Sequence, residues 1–454
     1  MGKYFGTDGI RGVANKELDA TLAYKVGAAA AYVLTREGNH KPKFLIGKDT
    51  RISSDMIEAS LVAGICSTGA DVELLGVIPT PAVAFLTTTH KADAGIVISA
   101  SHNTFEYNGI KIFSSTGYKL SDEIEAEVEK YIDNPQEIPL QVGEKIGIVI
   151  DTDEDPCEEY ISHIASSIDG TLKGLRVVID CANGSASTTA RDLFKRLKLN
   201  AEVIFTSPNG ININNKCGST HLSNLKNTVV AGQFDVGIAL DGDADRCLVI
   251  DNEGQEIDGD CLMAIMATRL KAKGKLKGNA FVATVMSNMG LHKFARENGL
   301  GMICSDVGDR YVLEKMLEKG YNLGGEQSGH IIFRDYASTG DGQLTAIQFL
   351  KILKDSGKTA SSMRAEVVPF PQTMINVPVP NEIKKNLLDN EEIANFIKTN
   401  EGKLGEGRVL VRPSGTEALV RVMVEGIEED KVLTVAKDIA DFIVATLESN
   451  NTAN

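Results

Sequence analysis

The stretch "GIVISASHNTFEYNGIKIF", residues 95–113, runs from an apolar strand into two serines, a histidine and an asparagine, with Lys111 further on. A serine-hydrolase reading needs a base, an orienting acid and an oxyanion hole, and the chain has no G-x-S-x-G elbow. Adjacent Ser101 and His102 also project differently from extended backbone. Ser99 is expected to be buried in the strand and Ser101 exposed in the loop. A serine there can instead carry a phosphoryl group, which would add oxygen ligands for a cation.

A second loop, "ALDGDADRCLVIDNEG", alternates Asp241, Asp243 and Asp245, which share one side of an extended backbone. Three close carboxylates repel unless a hard cation neutralises them, and Mg²⁺ suits an all-oxygen site. An EF-hand is excluded, because its sixth position would be Arg246 instead of glycine and its twelfth Asn252 instead of glutamate. Arg246, directly after the triplet, adds a guanidinium suited to a phosphoryl group. Read alone, the triplet is as well explained by an acidic surface turn.

In "NLGGEQSGHIIF", Glu326 and Ser328 stand at i and i+2, able to accept from and donate to vicinal sugar hydroxyls, with His330 beyond. Near the end, "VLVRPSGTEALVRVMVEG" combines Arg412, Ser414, Gly415, Thr416 and Arg421: two permanent cations, two hydroxyls and a backbone free to approach closely. Those groups can cradle a phosphate, although a hairpin turn with flanking arginines is an equal reading of that stretch by itself. "FGTDGIRG" sets Arg11 between glycines, and "IGKDTRISS" sets Lys48 and Arg51 beside hydroxyls. Both also fit ordinary salt-bridged loops.

The elements that must position these loops alternate between short β-branched runs and amphipathic stretches, the pattern of α/β architecture. Strands are expected at 43–47, 94–99, 176–180, 235–240 and 280–285, and helices at 54–68, 187–197, 260–271, 312–319 and 429–447. Polar loops follow the strands after Ile98, Leu240 and Val285. In open α/β sheets such strand ends hold ligands. At 454 residues the chain exceeds one core. We place four domains at 1–150, 151–255, 256–367 and 368–454. The first cut follows the proline-bearing stretch 133–147, the second rests on spacing, and the third lies at the stiffened "EVVPFPQTM".

The balance of 47 basic against 62 acidic residues gives −15, which argues against nucleic acid or an anionic membrane as partner. No apolar run reaches membrane-spanning length, and the start lacks a signal-peptide core, so a cytoplasmic location is expected. The 7 cysteines are scattered and free of C-x-x-C spacing, reading as thiols in a reducing compartment.

In this order, "SASHN", "DGDADR", "GEQSGH" and "RPSGTEALVR" resemble the α-D-phosphohexomutase family along nearly the whole chain. The resemblance implies four domains around a central cleft: three related α/β units and a smaller C-terminal α+β phosphate-binding domain. It implies that Ser101 carries phosphate, with His102 beside it. Asp241, Asp243 and Asp245, together with Ser101, would hold one Mg²⁺ per chain. Arg246, Arg11 and Lys111 would be cations near the reacting centre. Glu326 and Ser328 would read sugar hydroxyls, His330 would contribute to binding or proton handling, and Arg412, Ser414, Gly415, Thr416 and Arg421 would clamp the phosphate not being transferred.

Within the family, the start and "GGEQSGH" look most like the bacterial branch that interconverts glucosamine 6-phosphate and glucosamine 1-phosphate towards UDP-N-acetylglucosamine. The implied intermediate and activator is a hexose 1,6-bisphosphate, and the partner is a small amino sugar phosphate, with a homodimer left open. A mutase for mannose or glucose phosphates would share all four loops, and a metal-dependent sugar phosphatase would share the acidic one. Proton transfer has three candidates: Lys111, His102 and His330. One departure stands out: family members commonly place proline after "SASHN", where this chain has Thr104. That puts the loop's rigidity in question.

Overall fold

The computed structural model describes all residues but 1, 7, 153, 385, 415–417, 453 and 454. Its described strands form four sheets. The first is ordered Phe5–Gly6, Gly9–Val13, Tyr107–Ser114, Ala94–Ile98, Lys43–Lys48, Asp71–Val77, Val149–Ile150. Lys43–Lys48 runs parallel to Ala94–Ile98 and Asp71–Val77, while Tyr107–Ser114 returns antiparallel to Ala94–Ile98. Helix Ala20–Thr35 starts where the Asp19 side chain accepts from Leu22 N–H, a cap worth about 1 kcal/mol. It packs on helix Ser54–Ser67 through small residues: a Cβ on Gly64 would stand 2.2 Å from the Tyr24 carbonyl oxygen. Ile57, Leu61 and Ile65 then reach the core beside Phe44, Ile46 and Ile96.

In the second sheet Arg176–Asp180 lies parallel between Asn200–Ile204 and the middle strand Val236–Leu240, with Cys247–Asp251 antiparallel to the latter. The third centres on Ala280–Thr284, parallel to Gly301–Ser305 and Leu323–Gly325, with Ile331–Phe333 antiparallel. Val236–Leu240 and Ala280–Thr284 are buried throughout, and Arg176–Asp180 from Val177 onward, as continuous apolar runs covered on both faces must be.

The expected strands are all present, from Lys43–Lys48 through Arg176–Asp180 to Ala280–Thr284. The helix expected from residue 187 begins later, at Ala190, after a 3₁₀ turn over Ser185–Thr188. There the Thr188 hydroxyl donates to the Ser185 carbonyl at 2.8 Å, a local bond that competes with the helical ladder. The last helix extends past Leu447 to Thr452.

Residues 287–297 and 367–454 form a unit of their own. Its sheet places Leu419–Gly426 between Gln372–Pro378 and Gly407–Pro413, all antiparallel. Val422, Val424, Ile439 and Ile443 fill its core. Buried Glu425 ties helix Met289–Glu297 to this sheet, accepting from Met289 N–H at 3.2 Å and from Arg408 Nε at 2.9 Å.

One feature repeats: each motif loop joins a strand to its antiparallel neighbour. Residues 99–106, 241–246, 326–330 and 414–418 all connect such pairs. The third member of the series is therefore the loop after Gly325, not the one after Val285.

Candidate active site

Ser101 leaves the strand Ala94–Ile98 in the left-handed region, φ +52°. Its N–H donates to Ser99 Oγ at 2.9 Å, and its own hydroxyl donates to Asp241 Oδ2 at 2.7 Å. The expectation that Ser101 is exposed is overturned, since only 1% of it is accessible. The aspartate loop covers it, and a Cβ on Gly242 would sit 2.6 Å from the Ser101 carbonyl oxygen, so only glycine allows this approach. His102 Nδ1 lies 3.4 Å from Ser101 Oγ. Burial, with Arg246 and Arg11 nearby, pushes the His102 pKa down to about 4 and leaves the ring neutral at pH 7.

The three aspartates converge, but not by strand alternation. Residues 241–246 form a turn in which Ala244 adopts φ +58° and its N–H donates to the Asp241 carbonyl at 3.1 Å. One oxygen from each carboxylate falls within 4.8 Å of the others, and all three residues are buried. Asp243 Oδ2 accepts from Thr80 Oγ1 at 2.7 Å and Lys111 Nζ at 2.9 Å, and Asp245 Oδ2 accepts from Lys111 at 3.2 Å. The second oxygens of Asp243 and Asp245 are buried without a hydrogen-bond donor among the described residues. Two bare carboxylate oxygens beside a serine hydroxyl are a donor set that fits a hard divalent cation. Burial and the neighbouring Asp245 and Asp243 hold Asp241 well above the usual carboxylate range. For Asp245, Lys111 and His330 outweigh burial and hold it well below.

Around this cluster runs a closed ring of alternating charge. Lys111 stands 3.1 Å from Asp8, Asp8 2.5 Å from Lys119, and Lys119 2.6 Å from Asp309. Asp309 stands 3.4 Å from His330, His330 3.7 Å from Asp245, and Asp245 3.2 Å from Lys111. Arg11 pairs with Asp8. Burial disfavours the charged Lys111, but Asp243, Asp8 and Asp245 raise its pKa well above the ordinary value. At His330, Asp309 and Asp245 likewise overcome burial and lift the ring to about 9. Gly340 N–H points at His330 Nε2 from 3.0 Å, so the neutral ring keeps its proton on Nδ1, toward Asp245.

Asp8, Lys119, Asp309 and Thr80 escaped the sequence reading. Asp8 carried a signal, its i,i+3 spacing to Arg11. Lys119 and Thr80 are an ordinary lysine and threonine until the fold closes around them.

Glu326 Oε1 accepts from Gly308 N–H at 3.1 Å, and burial raises its pKa. Ser328 Oγ is buried with no hydrogen-bond partner among the described residues, a hydroxyl left free for a ligand. Thus Ser101, His102, Lys111, Arg11, Arg246, the three aspartates and His330 come together, with Glu326 electrostatically coupled to Arg246 and His330.

In the C-terminal unit, Arg412 and Arg421 are directly opposed across the strand pair. Like charges directly opposite one another on a strand pair are unfavourable. Ser414 begins the connecting loop, its N–H donating to the Leu419 carbonyl at 2.9 Å and its carbonyl accepting from Lys384 at 2.8 Å. Gly415 and Thr416, expected in the same cradle, lie outside the described residues.

The chain matches the phosphoglucomutase/phosphomannomutase family in four segments: α/β/α domain I over residues 2–138, domain II over 158–254, domain III over 258–370 and the C-terminal domain over 374–442. It is 53% identical to the phosphoglucosamine mutase of Acetivibrio thermocellus over 445 residues, covering 98% of this chain and 99% of that one. Identity to the phosphoglucosamine mutase of Clostridium acetobutylicum is also 53%, with the same coverage. Among solved structures, a phosphoglucomutase/phosphomannomutase family protein from Burkholderia thailandensis has the same fold, with TM-score 0.81 and 24% identity over 97% of both chains. Aspergillus fumigatus N-acetylphosphoglucosamine mutase, solved with GlcNAc-6P and magnesium, shares the fold at TM-score 0.70 and 17% identity, covering 96% of this chain and 95% of that one.

Proposed function

The chain belongs to the phosphoglucomutase/phosphomannomutase family and is an isomerase of the mutase type; on that premise we propose that it interconverts glucosamine 6-phosphate and glucosamine 1-phosphate through a phosphorylated Ser101. The observation that carries this reading is the buried Ser101 hydroxyl on Asp241, inside a cluster of three carboxylates with two bare oxygens. The substrate comes from the phosphoglucosamine mutases that match nearly the full chain.

In the forward direction the 1-hydroxyl of glucosamine 6-phosphate attacks the phosphorus on Ser101. A new O1–P bond forms, the Ser101 Oγ–P bond breaks, and glucosamine 1,6-bisphosphate results. The sugar then turns end for end. Ser101 Oγ attacks the 6-phosphoryl group, the O6–P bond breaks, and glucosamine 1-phosphate leaves. Each transfer moves one proton from the attacking hydroxyl to the departing oxygen.

Asp241, Asp243, Asp245 and Ser101 would hold a Mg²⁺, which when bound neutralises charge on the phosphoryl oxygens. Lys111, Arg11 and Arg246 supply the remaining positive charge, which is most of what phosphoryl transfer asks of a protein. Lys111 is held protonated, and His330, whose pKa is pulled up to about 9, commits its Nε2 lone pair to Gly340 N–H when neutral, so neither offers a free lone pair at neutral pH. His102 does, and a dianionic phosphate on Ser101 would raise its pKa toward the useful range. His102 is therefore the proton acceptor for the attacking hydroxyl. Glu326 and Ser328 meet sugar hydroxyls, and Arg412, Ser414, Gly415, Thr416 and Arg421 hold the idle phosphate.

Phosphorus NMR with Mg²⁺ and a trace of hexose 1,6-bisphosphate tests the assignment, with glucosamine, glucose and mannose 6-phosphates supplied separately. A 1-phosphate resonance growing fastest with glucosamine supports the reading. Equal rates with glucose or mannose would keep the reaction and overturn the substrate.

A further inference from the structure

In the sequence, Arg51 stands in a loop that reads equally well as a salt-bridged turn. In the fold it is 3% exposed, and its five N–H groups meet five oxygens. Nε donates to Asp49 Oδ2 at 2.8 Å. Nη1 donates to the carbonyls of Thr104 and Tyr107, the latter at 3.0 Å. Nη2 donates to the carbonyls of Ser101 and Asn103, both at 2.9 Å. From the second α/β unit, Asn214 Nδ2 donates to those same two carbonyls, at 2.8 and 2.9 Å. Asp49 closes the arrangement by accepting from Ser99 Oγ at 2.6 Å, the oxygen that also receives the Ser101 N–H.

We propose that Arg51 is a positioning residue for phosphoryl transfer: with Asn214 it grips the carbonyl side of the serine loop, so that the Ser101 hydroxyl keeps its aim although Thr104 stands where a proline would stiffen the turn. The proposal rests on Ser101 being the phosphoryl carrier. Ser101 occupies the left-handed region, which is unfavourable for a side-chain-bearing residue and persists only where surrounding contacts over-determine it. Four carbonyls held by one planar guanidinium are such a constraint. Lysine cannot reproduce it, having three donors on one point instead of five in a plane. Among the described residues Arg51 donates only to Asp49 and to loop carbonyls, so its effect on the reaction passes through the loop's geometry, where small misplacements are costly to rate.

The test uses the full chain with Mg²⁺ and glucose 1,6-bisphosphate as the phosphoryl donor. It measures phosphoryl uptake on Ser101 by quenched-flow mass spectrometry and steady-state turnover of glucosamine 6-phosphate. Arg51→Lys is expected to slow uptake and kcat at least about tenfold, and Asn214→Ala severalfold, with KM for the sugar phosphate nearly unchanged in both. Added guanidinium should restore part of the activity of Arg51→Gly, and hydrogen exchange should show lost protection over residues 99–107. Wild-type uptake in Arg51→Lys and Asn214→Ala overturns the proposal, as does an Arg51→Gly defect that guanidinium does not touch. If Arg51→Lys fails to fold, Asn214→Ala decides alone. If the wild-type chain itself takes no phosphate on Ser101, the carrier reading fails instead, and exchange protection of 99–107 in the variants decides the positioning role.

Discussion

Ser101 Oγ and Asp241 Oδ2 stand 2.7 Å apart, the serine donating, although 140 positions separate them in the chain. This bond joins the end of one parallel strand to the end of another in a different sheet. The phosphoryl-carrier candidate is thereby held against one of the three clustered carboxylates.

Ser101→Ala should reduce mutase turnover at least about a thousandfold, since the covalent step has no other oxygen to use. Sugar phosphate should still bind, because the residues proposed to hold it are untouched. Calorimetric titration beside the kinetic assay separates the two effects, and substantial residual turnover would refute the phosphoserine.

Lys111→Met should both inactivate and destabilise. Lys111 is 1% exposed and lies between Asp8, Asp243 and Asp245. Removing it leaves buried carboxylates facing one another, a loss of about 3–5 kcal/mol for a buried pair broken on one side. Urea unfolding with and without Mg²⁺ checks this, and the deficit should shrink when the cation is present.

Mg²⁺ should stabilise the wild-type chain, since it would relieve the repulsion among Asp241, Asp243 and Asp245. At a hundred times its Kd a bound ligand adds about 2.7 kcal/mol. The melting temperature should therefore climb on titration with Mg²⁺ and return with chelator. Asp243→Ala should lose that response; a full response in this variant would remove Asp243 from the ligand set.

Asp341, which also feels the Asp245 charge, gives a further pH dependence. Burial raises its carboxyl pKa to about 6, against bonds from Leu344 N–H and Tyr160 that favour the anion. Between the unfolded value near 3.8 and about 6 the folded state binds more protons, so this group's contribution improves as pH falls through 6 and levels off below 4. The span is about 3 kcal/mol. Asn in its place accepts the same bonds without titrating. Stability of wild type relative to Asp341→Asn should therefore rise from pH 7.5 to pH 4; a constant difference would contradict the shift.

Arg421→Ala should raise KM for the sugar phosphate about tenfold or more, as expected for a lost charge-assisted contact. The effect should soften with salt. A variant with unchanged KM would take Arg421 out of the phosphate clamp.

Much of this was legible in the residues, for identifiable reasons. Strands such as Arg176–Asp180 and Val236–Leu240 are continuous β-branched runs bounded by polar loops, so local pattern was enough. The four motif loops stood out by composition, but each alone had an ordinary reading, and their roles came from the resemblance of the ordered set. What could not be read was long-range closure. Ser101 looked exposed because nothing near it in sequence shows that Gly242 will seal it. The aspartates seemed aligned by extended backbone, whereas a turn through left-handed Ala244 gathers them. Asp8, Lys119 and Asp309 acquire meaning only where three α/β units meet, and Arg51 only when four loop carbonyls surround it.

The most direct test follows the phosphoryl group itself. The protein is loaded from radiolabelled hexose 1,6-bisphosphate, freed of excess donor, and mixed with Mg²⁺ and glucosamine 6-phosphate in a single turnover. The account predicts that label is found first on the Ser101 peptide and then leaves it for the sugar, as bisphosphate and monophosphate. Label appearing as inorganic phosphate, or never residing on Ser101, would contradict it.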